Sequence, residues 1–176
     1  MRRLIIFRHA KAEKGEPAGS DFDRALTAHG QDDAARMGAY LASHKLVPQF
    51  ALVSPAKRTQ QTWATVAAQL PKKPRSNDDP RIYNAMPDAL LAVIATAPQT
   101  AQAVMLVGHN PGLHEIALHL TATGDVDTRE SLREGLPTCG LIVIDFAFED
   151  WSGIAHGRGR LDRFVHPSIL QSKQDF

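Results

Sequence analysis

A three-layer α/β/α fold around a mostly parallel central sheet is predicted by three observations. Short apolar runs alternate with stretches in which apolar residues recur at helical spacing. Several of those runs end in a small polar turn that leads straight into a helical pattern. The 176 residues show no internal repeat or low-complexity tract, and that length suits one domain, here 1–176, with a core of its own.

The first strand is read at Arg3–Phe7, followed by a loop rich in Gly, Pro, Ser and Asp from Lys11 to Asp23. Thr27 is placed as the N-cap of a helix whose Ala34, Met37, Gly38 and Leu41 share one face. The second strand is Phe50–Val53, after which Ser54 and Pro55 read as N-cap and first helical residue. Trp63, Val66, Ala67 and Leu70 form the apolar stripe of that helix. Pro71–Pro80, polar and proline-rich, reads as a loop. A helix is expected over Pro87–Ala97 with Leu90, Leu91 and Ile94 inward. The third parallel strand is Ala103–Val107; Gly108-His109 turns the chain, Asn110 caps, and Pro111 opens a helix with Leu113, Ile116, Ala117 and Leu120 inward. Leu141–Phe148 and Arg160–Val165 read as the remaining strands.

Composition narrows the function classes. Twenty Lys and Arg stand against 19 Asp and Glu, a net charge of +1, which argues against a dedicated nucleic-acid binder. The longest unbroken apolar run, Ala89–Ala95, is far below the ~20 residues of a membrane span, so no membrane partner is expected. The apolar part of the basic N-terminus, Leu4–Phe7, is too short for a signal peptide of ~7–15 apolar residues. A single cysteine, Cys139, excludes an intrachain disulfide and suits a reducing compartment, so a cytoplasmic location is expected.

Three strand ends carry suggestive residues. The first ends in Arg8-His9, the second in Ser54-Pro55-Ala56-Lys57-Arg58, and the third in Gly108-His109-Asn110-Pro111. Ligands of open α/β sheets bind beyond the carboxyl ends of parallel strands. Adjacent parallel strands would therefore bring Arg8, His9, Arg58 and His109 to one rim, with two helix N-termini facing the same space. Each element alone is commonplace: an exposed strand end, a capping device, a solvated helix arginine, a turn. Together they describe a site for a tetrahedral dianion such as phosphate, which arginine forks match well. A neutral imidazole is a good nucleophile toward phosphorus, so one histidine could accept a phosphoryl group and pass it to water. The other, if protonated, would donate to a phosphoryl oxygen.

At these positions the chain resembles the histidine phosphatase, or phosphoglycerate mutase-like, superfamily. The resemblance is carried by Leu4-Ile5-Ile6-Phe7-Arg8-His9-Ala10, Leu26-Thr27-Ala28-His29-Gly30, Ser54-Pro55-Ala56-Lys57-Arg58-Thr59-Gln60-Gln61-Thr62 and Val107-Gly108-His109-Asn110-Pro111. Phe22-Asp23-Arg24-Ala25-Leu26-Thr27 and the short length resemble its SixA branch of phosphohistidine phosphatases most. The resemblance implies the phosphoglycerate mutase-like fold and a hydrolase. It also implies His9 as the nucleophile that becomes phosphohistidine, and Arg8, Arg58 and His109 as phosphoryl-binding residues. No cofactor and no metal are expected. The partner would be a phosphorylated protein, such as a histidine-containing phosphotransfer domain, or a small phosphorylated substrate. A small-molecule phosphomonoesterase or mutase, and a non-catalytic phosphate- or phosphohistidine-binding module, remain alternatives.

Two departures from the family pattern stand out. Ala10 replaces the usual glycine, which matters if the backbone there needs positive φ. The segment Arg81-Ile82-Tyr83-Asn84 lacks the glutamate that larger relatives use as general acid, leaving Asp79 and Asp88 as weak substitutes. Lys11 and Arg24 could line the pocket mouth as further phosphate-binding residues, against the plainer alternative of solvated loop charges. His29 reads as surface, Trp63 as core, Trp151 as part of a hairpin turn, Cys139 as a buried structural residue, and Arg158, Arg160 and Arg163 as a solvated edge strand.

Overall fold

Strand β1 (Arg2–Arg8) lies at the centre of the sheet in the computed structural model, which describes residues 1–155 and 158–172. After it come α1 (Ala28–Ser43), β2 (Phe50–Val53), α2 (Lys57–Gln69), β3 (Arg75–Asp78), α3 (Pro87–Ile94) and β4 (Ala103–Gly108). Then follow α4 (Gly112–Leu120), β5 (Thr121–Gly124), α5 (Val126–Glu134), β6 (Leu141–Phe146), β7 (Gly159–Val165) and α6 (Pro167–Ser172). The seven strands form one sheet in the order β3-β2-β4-β1-β6-β7-β5. Strand β4 is parallel to β1 and β2, β2 to β3 and β5 to β7, while β6 runs antiparallel to β1 and β7.

The layers follow from alternation along buried strands, whose side chains point to opposite faces in turn. On β1, Ile5 and Phe7 face one core with Met37 and Leu41 of α1 and Trp63 and Val66 of α2. Leu4 and Ile6 face the other core, with Leu90 of α3, Leu113 and Ile116 of α4, and Leu132 of α5. Strand β4 alternates likewise, Met105 and Val107 against Val104 and Leu106. The predicted three-layer sandwich with a mostly parallel sheet is the observed one.

Several local expectations are corrected. Within the predicted loop Pro71–Pro80 lies β3, an exposed edge strand paired with β2; all four of its residues are polar, so no apolar pattern marked it. Helix α2 starts later than predicted, at Lys57, with Ala56 at the N-cap, which frees the Ser54 side chain for another role. Asn110 does not cap α4; its amide donates to the Leu136 carbonyl at 2.8 Å. In α3, Val93 is buried beside Leu90 and Ile94, while Leu91 is only partly so. Strand β7 lies between β6 and β5, so Arg160 and Arg163 are not on an edge strand. Trp151 belongs to a 3-10 turn, is fully buried, and donates from Nε1 to the Ala101 carbonyl. The segments β5, α5 and α6 were not expected.

Candidate active site

Strand register builds the site. Arg8 pairs with Gly108 and Val53 with Val107, so β1, β2 and β4 end side by side. Just beyond, the His9 amide donates to the Gly108 carbonyl at 3.1 Å and the Ser54 amide to the Val107 carbonyl at 3.0 Å. His9 and His109 therefore meet, with ring centroids 5.3 Å apart. Arg8 leaves the end of β1, and Arg58 leaves the first turn of α2, where the positive end of the helix dipole adds to its charge.

The turn after His9 is held by its neighbours. The Ala10 amide donates to Thr62 Oγ1 at 3.0 Å, and that hydroxyl donates to the Arg58 carbonyl at 2.7 Å. Ala10 is fully buried, and its φ is not among the positive values, which outside glycine fall at Lys45, Asn84 and Cys139 among the described residues. The methyl is thus accommodated without left-handed backbone, and the departure from glycine needs no change of loop. Gly30 is required by close approach: a Cβ there would lie 2.1 Å from the Lys11 carbonyl oxygen. Thr27 caps α1 as predicted, accepting from the Gly30 amide.

The tautomers of the two histidines follow from their partners. His9 Nδ1 lies 2.7 Å from the Ala10 carbonyl, which can only accept, so Nδ1 carries the proton and Nε2 the lone pair. Burial, with Arg8, Arg58 and Arg24 nearby, pushes the His9 pKa down to about 4. The buried Ser54 hydroxyl accepts from the Ala56 amide at 3.4 Å, and His109 Nε2, 2.7 Å away, is the acceptor for its own proton, an arrangement that puts the His109 ring proton on Nδ1. Burial and Arg58 push His109 down to about 3. In the free protein His109 is therefore held neutral, and its Nδ1–H is available to donate without a second proton on the ring.

Within this site, Arg8 Nε, Arg58 Nε and His109 Nδ1 are buried and have no protein partner among the described residues. Buried donors are almost always satisfied, so three in one site mark a place for an anion. Arg8 is anchored by its NH1 donating to the Leu136 carbonyl at 2.9 Å, the same oxygen that Asn110 uses. Burial and the neighbouring Arg58 pull Arg8 below its usual value, the mark of two like charges held together.

Of the two charges expected at the pocket mouth, Arg24 lies beside the site, and Lys11 follows the turn after His9 with its side chain exposed. Arg24 donates to Asp21 Oδ1 at 2.9 Å and is near enough to depress His9. Lys11 has an exposed side chain and contributes its carbonyl, which accepts from the Thr27 amide. Asp79 is taken up by Arg81, and Asp88 lies in the first turn of α3.

Two residues escaped the sequence. Asp21 lies against Arg58, whose NH1 donates to the Asp21 carbonyl at 2.7 Å and NH2 to Oδ2 at 3.1 Å. Tyr83 donates to the same Oδ2 at 2.6 Å, and its ring meets His109 edge-on at 5.5 Å. The available signals were an acid three residues before Arg24, and an aromatic in the segment that lacks the family's glutamate. Hydrogen bonds from Tyr83 and Arg24 hold the Asp21 carboxyl ionised, with its pKa pushed down to about 2.

Residues 4–81 match the family model described as the histidine phosphatase superfamily, branch 1. A solved structure from Agrobacterium tumefaciens, assigned as the phosphohistidine phosphatase SixA, is 32% identical with a TM-score of 0.78, over 94% of this chain and 99% of that one. A second SixA assignment, from Nakamurella multipartitia, is 26% identical with a TM-score of 0.82, over 94% and 96% of the two chains. An uncharacterized protein of Mycobacterium tuberculosis is 28% identical over 163 residues, 91% of this chain and 99% of its own length. With motif, fold and full-length likeness in agreement, the chain belongs to the histidine phosphatase superfamily.

Proposed function

We propose that the protein is a phosphatase that works through a phosphohistidine enzyme intermediate and removes phosphate from phosphohistidine on another protein. The observation that carries the intermediate is the state of His9. Its Nδ1–H is held by the Ala10 carbonyl, its Nε2 keeps a lone pair, and its pKa lies far below neutrality. A histidine kept neutral beside two arginines is ready to attack a phosphorus whose oxygens those arginines hold.

In the first step the Nε2 lone pair of His9 forms a bond to phosphorus, and the bond to the leaving group breaks with its electron pair. In the second, water attacks phosphorus and the P–N bond to His9 breaks, releasing inorganic phosphate and restoring the neutral ring. Arg8 Nε, Arg58 Nε and His109 Nδ1 supply the buried donors for the phosphoryl oxygens. Positioning and charge neutralisation are most of what phosphoryl transfer asks of a protein.

The substrate class rests on the likeness to SixA assignments and on the missing acid. An alkoxide leaving group needs a proton, help worth typically 10²–10⁴-fold. Imidazole, with a reference pKa of ~6.5, leaves as a neutral molecule once its far nitrogen is protonated. The test compares phosphate release from a histidine-phosphorylated protein with release from 3-phosphoglycerate; faster turnover of the ester would refute the assignment. His9→Ala should abolish covalent labelling by a ³²P donor, and persistent labelling would remove His9 as nucleophile.

A further inference from the structure

Part of the site's lining, beside His109 and Arg58, is aromatic and is tied to a carboxylate. Tyr83 packs edge-on against His109 at 5.5 Å and against Phe22 at 5.1 Å, and the Arg58 guanidinium carbon lies 5.8 Å from its ring centre. Its hydroxyl proton is committed to Asp21 Oδ2 at 2.6 Å. Asp21 is in turn held by Arg58 at 3.1 Å and Arg24 at 2.9 Å. The Tyr83 oxygen therefore turns its lone pairs, not its proton, to anything else that approaches. As a proton donor the pair is badly matched: the bond to Asp21 raises Tyr83 above the usual phenol range, and Asp21 is pushed down to about 2.

We infer that Tyr83 is a specificity-determining residue for the leaving group, its oxygen accepting the ring N–H of a protonated phosphoimidazole while the P–N bond breaks. The inference rests on the phosphohistidine reading above and deepens it. The substrate ring arrives protonated on the nitrogen remote from phosphorus. His9 Nε2 bonds to phosphorus, the substrate P–N bond breaks, and its electron pair returns to the ring, which departs as neutral imidazole with its remote N–H still on the Tyr83 oxygen. The protein transfers no proton in this step, so it needs no general acid. An alcohol leaving group would find an acceptor where it needs a donor.

The test is a ratio of kcat/KM values. One substrate is a peptide phosphorylated on histidine by phosphoramidate; the other is p-nitrophenyl phosphate, whose leaving phenolate has no N–H. Tyr83→Phe keeps the ring and removes the oxygen. The ratio should fall at least about tenfold, in line with a hydrogen bond to a charged group. An unchanged ratio overturns the assignment of Tyr83. If Tyr83→Phe loses both activities, Tyr83→Gln, which offers a carbonyl acceptor, decides: its ratio should approach wild type, and a ratio about tenfold or more below wild type counts against the inference. Wild type that hydrolyses p-nitrophenyl phosphate but not the phosphopeptide would refute the phosphohistidine reading itself, a result distinct from an unchanged ratio.

Discussion

His9 is kept neutral by burial and by the same arginines that prepare the site for phosphate. Burial and the charges of Arg8, Arg58 and Arg24 all disfavour a second proton on its ring, and burial, Arg58 and Arg8 act likewise on His109. In a histidine-resolved NMR titration of the free protein, the His9 and His109 midpoints should therefore appear near 4 and 3, not near 6.5. A midpoint above 6 for His9 would contradict the nucleophile's environment. Arg58 has more to lose than a surface arginine, because it faces both the anion site through Nε and Asp21 through its other nitrogens. Arg58→Ala should weaken vanadate binding by roughly tenfold or more, the worth of a hydrogen bond to a charged group; calorimetric titration measures it, and unchanged affinity would exclude Arg58 from the pocket. At this scale the sequence was informative wherever a residue adjoins a strand end. Arg8, His9, Arg58 and His109 needed only parallel neighbouring strands to meet. Asp21 was illegible because an irregular loop has no period from which to place a side chain, and Ser54 was misread because Ser-Pro is equally good as a cap.

The elements that hold the site do so by close backbone approach. The first turn of α1 lies on the chain just after His9, and Gly30 makes that contact possible. Gly30→Ala puts a methyl into the Lys11 carbonyl, where only backbone can yield. A loss of ~1–3 kcal/mol is expected from overpacking, together with reduced vanadate affinity, and denaturant unfolding gives the first number. Thr27→Ala, which removes the cap of the same helix, should cost about 1 kcal/mol and leave the turn after His9 in place. If the two variants behaved alike, Gly30 would have no special part in positioning that turn. Long amphipathic elements such as α1 and α2 were readable because their apolar stripes are their packing faces. Strand β3 was not, since its existence depends on hydrogen bonds to β2 and its side chains bury nothing. Helix α5 buries only Leu132, so its sequence carries almost no apolar period to detect.

For the whole molecule, the two depressed histidines tie stability to pH. An unfolded histidine takes a proton near 6.5, while His9 and His109 take theirs only near 4 and 3. Between those limits the unfolded chain binds more protons, so stability must fall as pH drops from about 6.5 toward 4. Asp21 works later: its contribution is present above the ordinary carboxyl value and is lost as pH falls toward about 2. The thermal midpoint should therefore decline between pH 7 and pH 4.5, less steeply in His109→Gln. Equal slopes would show that His109 is not held neutral by the fold. The chain's single cysteine offers a way to watch the same region open. Cys139 takes a left-handed backbone conformation, φ 62°, its amide donates to the His9 carbonyl at 3.0 Å, and its thiol is fully buried and pushed up by burial. It cannot react with an alkylating reagent while that amide bond and the packing around it persist. Its labelling rate in the native protein is thus a built-in clock for how often the floor beneath the nucleophile comes apart, and a bound oxyanion should slow it.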